Sequence, residues 1–306
     1  MGSHMLAVLD SDSLEAESAL QTVPDWFEIW EQSLSRFRAD SELSCLNRAG
    51  GQPVAVSETL WEVFQAARQT EQETAGLVRP TLLDALLQAG YDRSFEALTP
   101  QNAPSRSASY EFPALAEQVT CDPARRSLNL GDGRHLDLGG VAKGWAAEKA
   151  VQRLKPYGSA LVDAGGDIAV SGPRPDGQPW AIGVSDPFHP ETNIATLLLE
   201  QGSVATSGTD YHRWKQGKLW NHHIIDPRSG LPANTDLLTV TVVAPNAIRA
   251  EAAAKAVLIL GSSSGMDWLE ADPDLAGLMV LQFGGIRHSR RMAEFIWREN
   301  DEHAIH

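Results

Sequence analysis

The sequence predicts an α/β (α+β) fold, a mixed sheet with packed helices, on three observations. Helix-like and strand-like runs follow one another along the chain, and the links between most of them are short and rich in Gly, Pro and Asp. No internal repeat or low-complexity tract is present, which sets solenoids and disordered scaffolds aside. A length of 306 residues suits one large core near the upper limit for a single domain. Residues 5–306 are therefore expected to form a single domain or two closely packed lobes, and Met1-Gly2-Ser3-His4 reads as an expression-tag remnant.

The elements follow in chain order. Leu14, Leu20, Trp26, Ile29, Trp30 and Leu34 recur at roughly helical spacing with acidic residues between them, predicting an amphipathic helix over 13–34. Asp40 or Ser41 offers a cap to a short helix ending near Asn47, and Gly50-Gly51 turns the chain. Over 57–74 Ser57 is a second cap, and Leu60, Val63, Phe64 and Ala67 share one face. Residues 80–90 read as another short helix closed by Gly90. The Pro-, Ser- and Ala-rich stretch 99–126 reads as an irregular excursion before a strand over 127–130. Helices are predicted over 142–154 and 247–260, and strands over 159–162, 168–171, 180–184, 195–199 and 237–243. Residues 275–282 and 293–296 are expected to close the sheet.

Charge narrows the function. Lys and Arg number 25 against 40 Asp and Glu, a formal charge of −15, which disfavours nucleic acid and anionic lipid as partners. An anionic ligand would need a local device: a cation, a helix N-terminus or backbone N–H groups. Cys45 and Cys121 lack the spacing of a zinc site or a redox dithiol, and stand as free thiols or one disulfide. No run of 18 apolar residues occurs; membrane association is expected only if a lipoprotein signal preceded Met5, and the compartment, cytoplasmic or exported, is left open.

Three Gly-rich polar segments are the candidate site. In the first, from Leu136 through Asp137, Gly139, Gly140 and Lys143 to Gly144, a strand runs through two glycines into a helix. Free N–H groups and the lysine there suit an anion; a tight turn with a solvated lysine explains it equally well. In the second, Asp163 and Asp167 flank Gly165 and Gly166, which a hairpin turn accounts for. The third holds Thr206, Ser207 and Gly208, then the stretch from Asn221 through His222, His223 and Asp226 to Pro232. Adjacent histidines on extended backbone point to opposite faces, so one metal ion does not take both. His223 is a candidate general acid or base, although a lone histidine is more often structural. A Ser207–His223–Asp226 triad lacks the G-x-S-x-G elbow that would support it.

Read together, the ordered segments resemble the FAD:protein FMN transferase family, often called ApbE. The likeness adds Leu34-Ser35-Arg36-Phe37 through Asp40-Ser41-Glu42-Leu43 to Asn47, and Val78-Arg79-Pro80-Thr81 with Gly90-Tyr91. It ends on His223-Ile224-Ile225-Asp226-Pro227 with Gly230 and Pro232, covering the chain from about Ser33 to Gly261. The resemblance implies an ApbE-like fold that binds FAD, uses Mg²⁺ on its pyrophosphate and transfers FMN to a Ser or Thr hydroxyl of an acceptor protein, AMP leaving. Hydrolysis of FAD to FMN and AMP, or binding without transfer, are the alternatives.

The same resemblance assigns roles. Phe37 would face the flavin or adenine ring, and Val78, Arg79 and Pro80 would line the cofactor cleft. Asp137 would hydrogen-bond the cofactor, and Gly139 and Gly140 would approach it, the Gly140 carbonyl also ligating the metal. Lys143 would reach the phosphates or the adenine end. Gly165 and Gly166 lie in the cofactor-binding set, and a Thr206–Gly208 turn with Ala233 would line the flavin side. His223 would take the proton of the incoming hydroxyl or orient a water, the role of base falling either to it or to a metal-side carboxylate. The chain departs from the family where A-D-A-x-x-T-A is usual. It reads Ala250-Glu251-Ala252-Ala253-Ala254-Lys255-Ala256, so Glu251 keeps a carboxylate for metal and catalysis while Lys255, counted with the catalytic set, replaces an oxygen ligand by an ammonium. Either its charge takes the place of Mg²⁺ on the pyrophosphate, or the site binds flavin without transfer. Glu251 and Lys255, four apart, share a helix face and are expected to pair. Arg79 replaces a usual Asp.

Overall fold

The computed structural model describes residues 4–98, 119–217 and 219–298. These fall into two compact units, one formed by 27–142 with 211–234, the other by 4–26, 143–210 and 235–298.

The second unit holds a seven-stranded sheet ordered Met5–Asp10, Ser159–Ala164, Asp167–Val170, Gly202–Gly208, Leu237–Ala244, Ala276–Leu281 and Ile286–His288. Every pairing is antiparallel. Strand Leu237–Ala244 is buried almost end to end, so both sheet faces must be covered. The Ala247–Leu260 helix covers one, against Gly202–Gly208 and Leu237–Ala244. Leu161, Val170, Val204, Val243 and Leu278 pack on the other with Trp180, Ile182, Leu197 and Leu199 of the hairpin Trp180–Ser185 and Asn193–Leu199. The covering helix is apolar on almost every side, as a helix enclosed by protein must be, and it starts on an Asn246 cap that accepts the Arg249 N–H.

The first unit is built from short pieces. Ser41 and Ser57 cap the helices Glu42–Asn47 and Glu58–Glu73 as their sequence positions predict. A one-turn helix Pro80–Leu82 runs into Leu83–Gln88, whose Leu86 and Ala85 pack with Leu82, Ala89, Trp214 and Ile225. Gly90 then takes φ +91°, the left-handed turn expected of it.

Four expectations are corrected. The segment 13–34 is two helices, Leu14–Gln21 and Val23–Leu34, because Thr22 closes the first on the Ala19 and Leu20 carbonyls and Pro24 has no N–H to continue it. Residues 293–296 do not join the main sheet: a one-turn helix occupies Arg291–Glu294, and Ile296 makes an isolated bridge to Leu197. The edge is Ile286–His288, turned back by Gly284 and Gly285 at φ +87° and +90°. Within 99–126, the part up to 118 lies outside the described residues, and Thr120–Asp122 is a strand paired with Ser127–Asn129. Thr206 to Gly208 ends strand Gly202–Gly208 and is not a turn. The two cysteines are free thiols, and no helix among the described residues is long and apolar enough to cross a membrane.

Candidate functional site

The first unit gathers an aromatic shelf around Arg36. Its guanidinium carbon lies 4.1 Å from the Phe37 ring centroid and 4.5 Å from that of Tyr91. Nε meets Asp137 Oδ2 at 2.5 Å, and a terminal nitrogen donates to the Tyr91 carbonyl at 2.8 Å. Asp137 is fixed from three sides: by Arg36, by the Gly139 N–H on its Oδ1, and by its own N–H on the Pro80 carbonyl. Asn47 clamps the preceding Leu136 through both backbone groups. The family-like Asn47, Pro80 and Asp137 positions thus form one hydrogen-bonded frame. Gly140 lies beside Val78, whose side chain would stand 3.5 Å from a Cβ there.

Tyr91 stacks on Trp214 at 5.0 Å, and its edge is toward His223 at 6.5 Å. Burial pushes the Tyr91 phenol up to about 12, so it is a neutral donor at physiological pH. His223 stands nearly perpendicular to His212 at 5.3 Å. His222 is turned elsewhere, its Nε2 at 2.9 Å from the Ala233 carbonyl, so Ala233 serves as an anchor for the neighbouring histidine. Asp226 is bound in both oxygens by Arg228, which leaves no support for the triad. Arg79 bends back onto the Gly76 carbonyl and toward Glu71.

The second unit gathers the charges. Lys143, on the helix Ala142–Leu154, pairs with Asp167 at the head of its strand and lies 3.8 Å from Glu251 Oε1. Lys255 Nζ meets the same Oε1 at 2.7 Å, and the Gly144 N–H bonds Oε2 at 2.9 Å. The expected Glu251–Lys255 pair is therefore present. Burial raises the Glu251 carboxyl, and Lys255 followed by Lys143 more than reverse this, holding it below the usual range. For Lys143 burial opposes the charge, yet Asp167 and Glu251 overcome it and raise its pKa. Asp167 is pushed up to about 7, by burial first and by Glu251 second.

Gly165 and Gly166 form the predicted hairpin turn at φ +71° and +91°, with the Gly166 N–H on Asp163 Oδ1. The Gly166 carbonyl accepts from Thr206 N–H, and Thr206 Oγ1 meets Thr241 Oγ1 at 2.8 Å. Ser207 is buried, and a Cβ on Gly208 would run into the Asp210 carboxylate.

Close packing makes Gly144 essential to this cluster. A Cβ there would stand 2.6 Å from the Ala247 carbonyl oxygen and 3.0 Å from Glu251 Oε2. Gly144→Ala is expected to cost about 1–3 kcal/mol through overpacking, read from the urea midpoint; an unchanged midpoint would refute this contact.

The Asp167 shift gives a pH prediction. Because its folded pKa exceeds the ordinary 3.8, the native state keeps a proton that the unfolded chain releases. The stability it contributes is complete below the ordinary value and lost as pH rises toward about 7. Wild-type unfolding free energy, measured against Asp167→Asn, should therefore fall between about pH 4 and pH 7. A difference that stays flat or rises would contradict it.

Mg²⁺, which the resemblance implies, finds a poor fit. Glu251, the carboxylate expected to ligate it, is already engaged by Lys255, Lys143 and Gly144 N–H. No group of three or more His, Cys, Asp or Glu able to hold a metal ion occurs among the described residues.

The shelf and the charged cluster sit on a fold already seen in flavin transferases. A crystal structure of the ApbE protein from Thermotoga maritima MSB8 superposes with a TM-score of 0.84 at 26% identity, covering 97% of each chain. The flavin transferase ApbE from Vibrio cholerae shares the fold, with a TM-score of 0.78 at 24% identity over 96% of each chain. A curated relative named FAD:protein FMN transferase, from Treponema pallidum (strain Nichols), is 31% identical over 90% of this chain and 80% of its own length. Another of that name from Klebsiella pneumoniae (strain 342) is 29% identical over 92% and 86%. The ApbE family profile matches residues 1–279, and the chain belongs to the ApbE family.

Arg36, Tyr91 and Trp214 are prominent in the geometry but carry no role of their own in the sequence reading, and Asp167 belongs to a candidate segment there without a partner assigned. Arg36 and Tyr91 lie within the family-like stretches, beside Phe37 and Gly90, which was the available signal. The partnership of Asp167 with Lys143, 24 residues apart, has no local signature.

Proposed function

We propose that this chain transfers the FMN half of FAD to a Ser or Thr hydroxyl of an acceptor protein. The hydroxyl oxygen bonds to the phosphorus of the FMN half, the bond from that phosphorus to the bridging oxygen breaks, and AMP departs with that oxygen. The observation that carries the reading is family membership, with 80% and 86% of the length of two curated relatives bearing that name covered.

On this reading the shelf of Phe37, Arg36 and Tyr91 takes a planar ring, with Val78 and Pro80 beside the Asp137 frame and Asp137 directing polar edges of the cofactor. Lys143 and Lys255 meet the diphosphate, and the Gly165-Gly166 turn with Thr206 to Gly208 shapes the wall beside the cluster. His223 accepts the hydroxyl proton. A step through Mg²⁺ is not part of the reading, because Glu251 is committed to ammoniums.

The test is mass spectrometry of the purified chain with FAD and a Thr-containing acceptor peptide, following AMP, FMN and covalent adduct together. Adduct with equimolar AMP is the expected result. AMP and free FMN without adduct would replace transfer by hydrolysis. FAD retained intact would leave a flavin-binding protein, the reading that the Glu251–Lys255 pair favours second.

A further inference from the structure

The charged cluster of the second unit is layered. Its carboxylates are sealed, Asp167 at 1% and Glu251 at 0% exposure, while Lys143 and Lys255 keep 27% and 12%. Solvent, and anything arriving from it, therefore meets ammoniums first, each backed by a carboxylate that it cannot reach. Both ammoniums converge on one oxygen, Glu251 Oε1, so they form a single donor group on two helices.

Charge counting explains what such a group can hold. Fully ionised, Asp167 and Glu251 cancel Lys143 and Lys255, and Asp163, half-buried at the adjoining turn, adds one further negative charge near Lys143. A divalent cation would add two charges beside two ammoniums whose sealed carboxylates are already paired, leaving only Asp163, which the Gly166 N–H holds at the neighbouring turn, and repulsion at these separations is large in a dry site. With an oxygen ligand in place of Lys255, the same cluster would carry a net negative charge and accept the ion. Each ammonium, by contrast, has donors in excess of the carboxylate it pairs with, and charge-assisted bonds to phosphate oxygens use them.

From this arrangement we infer that Lys255, with Lys143, replaces the divalent metal, so that the chain binds the diphosphate of its nucleotide without a metal ion. The inference rests on the FAD reading for its ligand, not for its charge argument. Lys255 is then a diphosphate-binding residue and Glu251 its positioning partner.

The experiment titrates the whole chain with FAD, and separately with ADP, in Mg²⁺ and in EDTA, and measures Mn²⁺ binding by the electron paramagnetic resonance of the free ion. Wild type is expected to bind either nucleotide equally, within about twofold, in both buffers, and to take up no stoichiometric Mn²⁺. Lys255→Met, which removes the charge without supplying an oxygen, should weaken binding about tenfold or more in either buffer. Lys255→Thr should weaken it in EDTA and recover it with Mg²⁺, while gaining one Mn²⁺. Circular dichroism of both variants establishes that they are folded. One Mn²⁺ per wild-type chain, or wild-type binding that collapses in EDTA, overturns the inference. If ADP binds without metal and FAD does not bind, the flavin reading fails and the inference stands; if neither binds in any buffer, both fail.

Discussion

Glu251→Ala is expected to lower the unfolding free energy by about 3–5 kcal/mol, the cost of breaking a buried charge network by removing one member. Glu251 has no exposed side-chain surface and receives Lys255, Lys143 and the Gly144 N–H. Its loss would leave two ammoniums facing one remaining carboxylate, Asp167, and a helix N–H with no acceptor. Glu251→Gln separates these effects, since an amide oxygen can still accept from Gly144 but cannot neutralise a lysine; its destabilisation should be smaller than that of Glu251→Ala. The pH dependence adds a second check. Because Lys255 and Lys143 outweigh burial and lower the Glu251 pKa, its contribution is present above the ordinary carboxylate value and lost as pH falls through the lowered one. The wild-type advantage over Glu251→Gln should therefore shrink in acid. Urea unfolding across pH measures all three proteins, and a loss under about 1 kcal/mol for Glu251→Ala at neutral pH would mean that the cluster relaxes rather than supports the fold.

This cluster also marks how far the sequence could be read. Glu251 and Lys255 were legible as a pair because four residues on a helix put them on one face. Ser41 and Ser57 were legible as caps, and Gly165-Gly166 as a turn, because these are local rules of backbone geometry. What closes the cluster is not local. Gly144 reaches Glu251 across 107 residues and Lys143 reaches Asp167 across 24, brought together by the packing of two helices and a strand end. The outer strands were missed for a related reason. Ile286–His288 is exposed throughout and carries no apolar signal. Met5–Asp10, by contrast, is an apolar run, MLAVL, that lies at a sheet edge with Leu6 and Val8 exposed, and its partner strand Ser159–Ala164 lies about 150 residues away in sequence. The reading of 293–296 failed because Phe295 and Ile296 pack against the core cluster without joining the main sheet, and composition cannot distinguish those two forms of burial.

On the proposed reaction, His223→Ala is expected to reduce FMN transfer by about 10²–10⁴-fold, the usual weight of a positioned proton acceptor, with FAD affinity changed by no more than about threefold. The two adjacent histidines make this a controlled comparison. His222 is bound to the Ala233 carbonyl and accepts from the Ile224 N–H, so it holds the chain between Leu219–His222 and Ile225–Asp226. His222→Ala should therefore act on stability, lowering the urea midpoint, and on transfer only as far as the fold loosens. His223 instead keeps its ring among Tyr91 and His212, and in the proposed reaction it is the group that takes the hydroxyl proton. An alcohol must lose its proton as its oxygen bonds to phosphorus, so the deficit of His223→Ala should appear in kcat and not in the KM for FAD. Rates and FAD titrations on both variants, with unfolding curves beside them, decide the matter. Transfer by folded His223→Ala within about threefold of wild type would remove the histidine from the chemistry. The proton would then have to be accepted by another group or by water, and the aromatic neighbours of His223 would be its structural setting only.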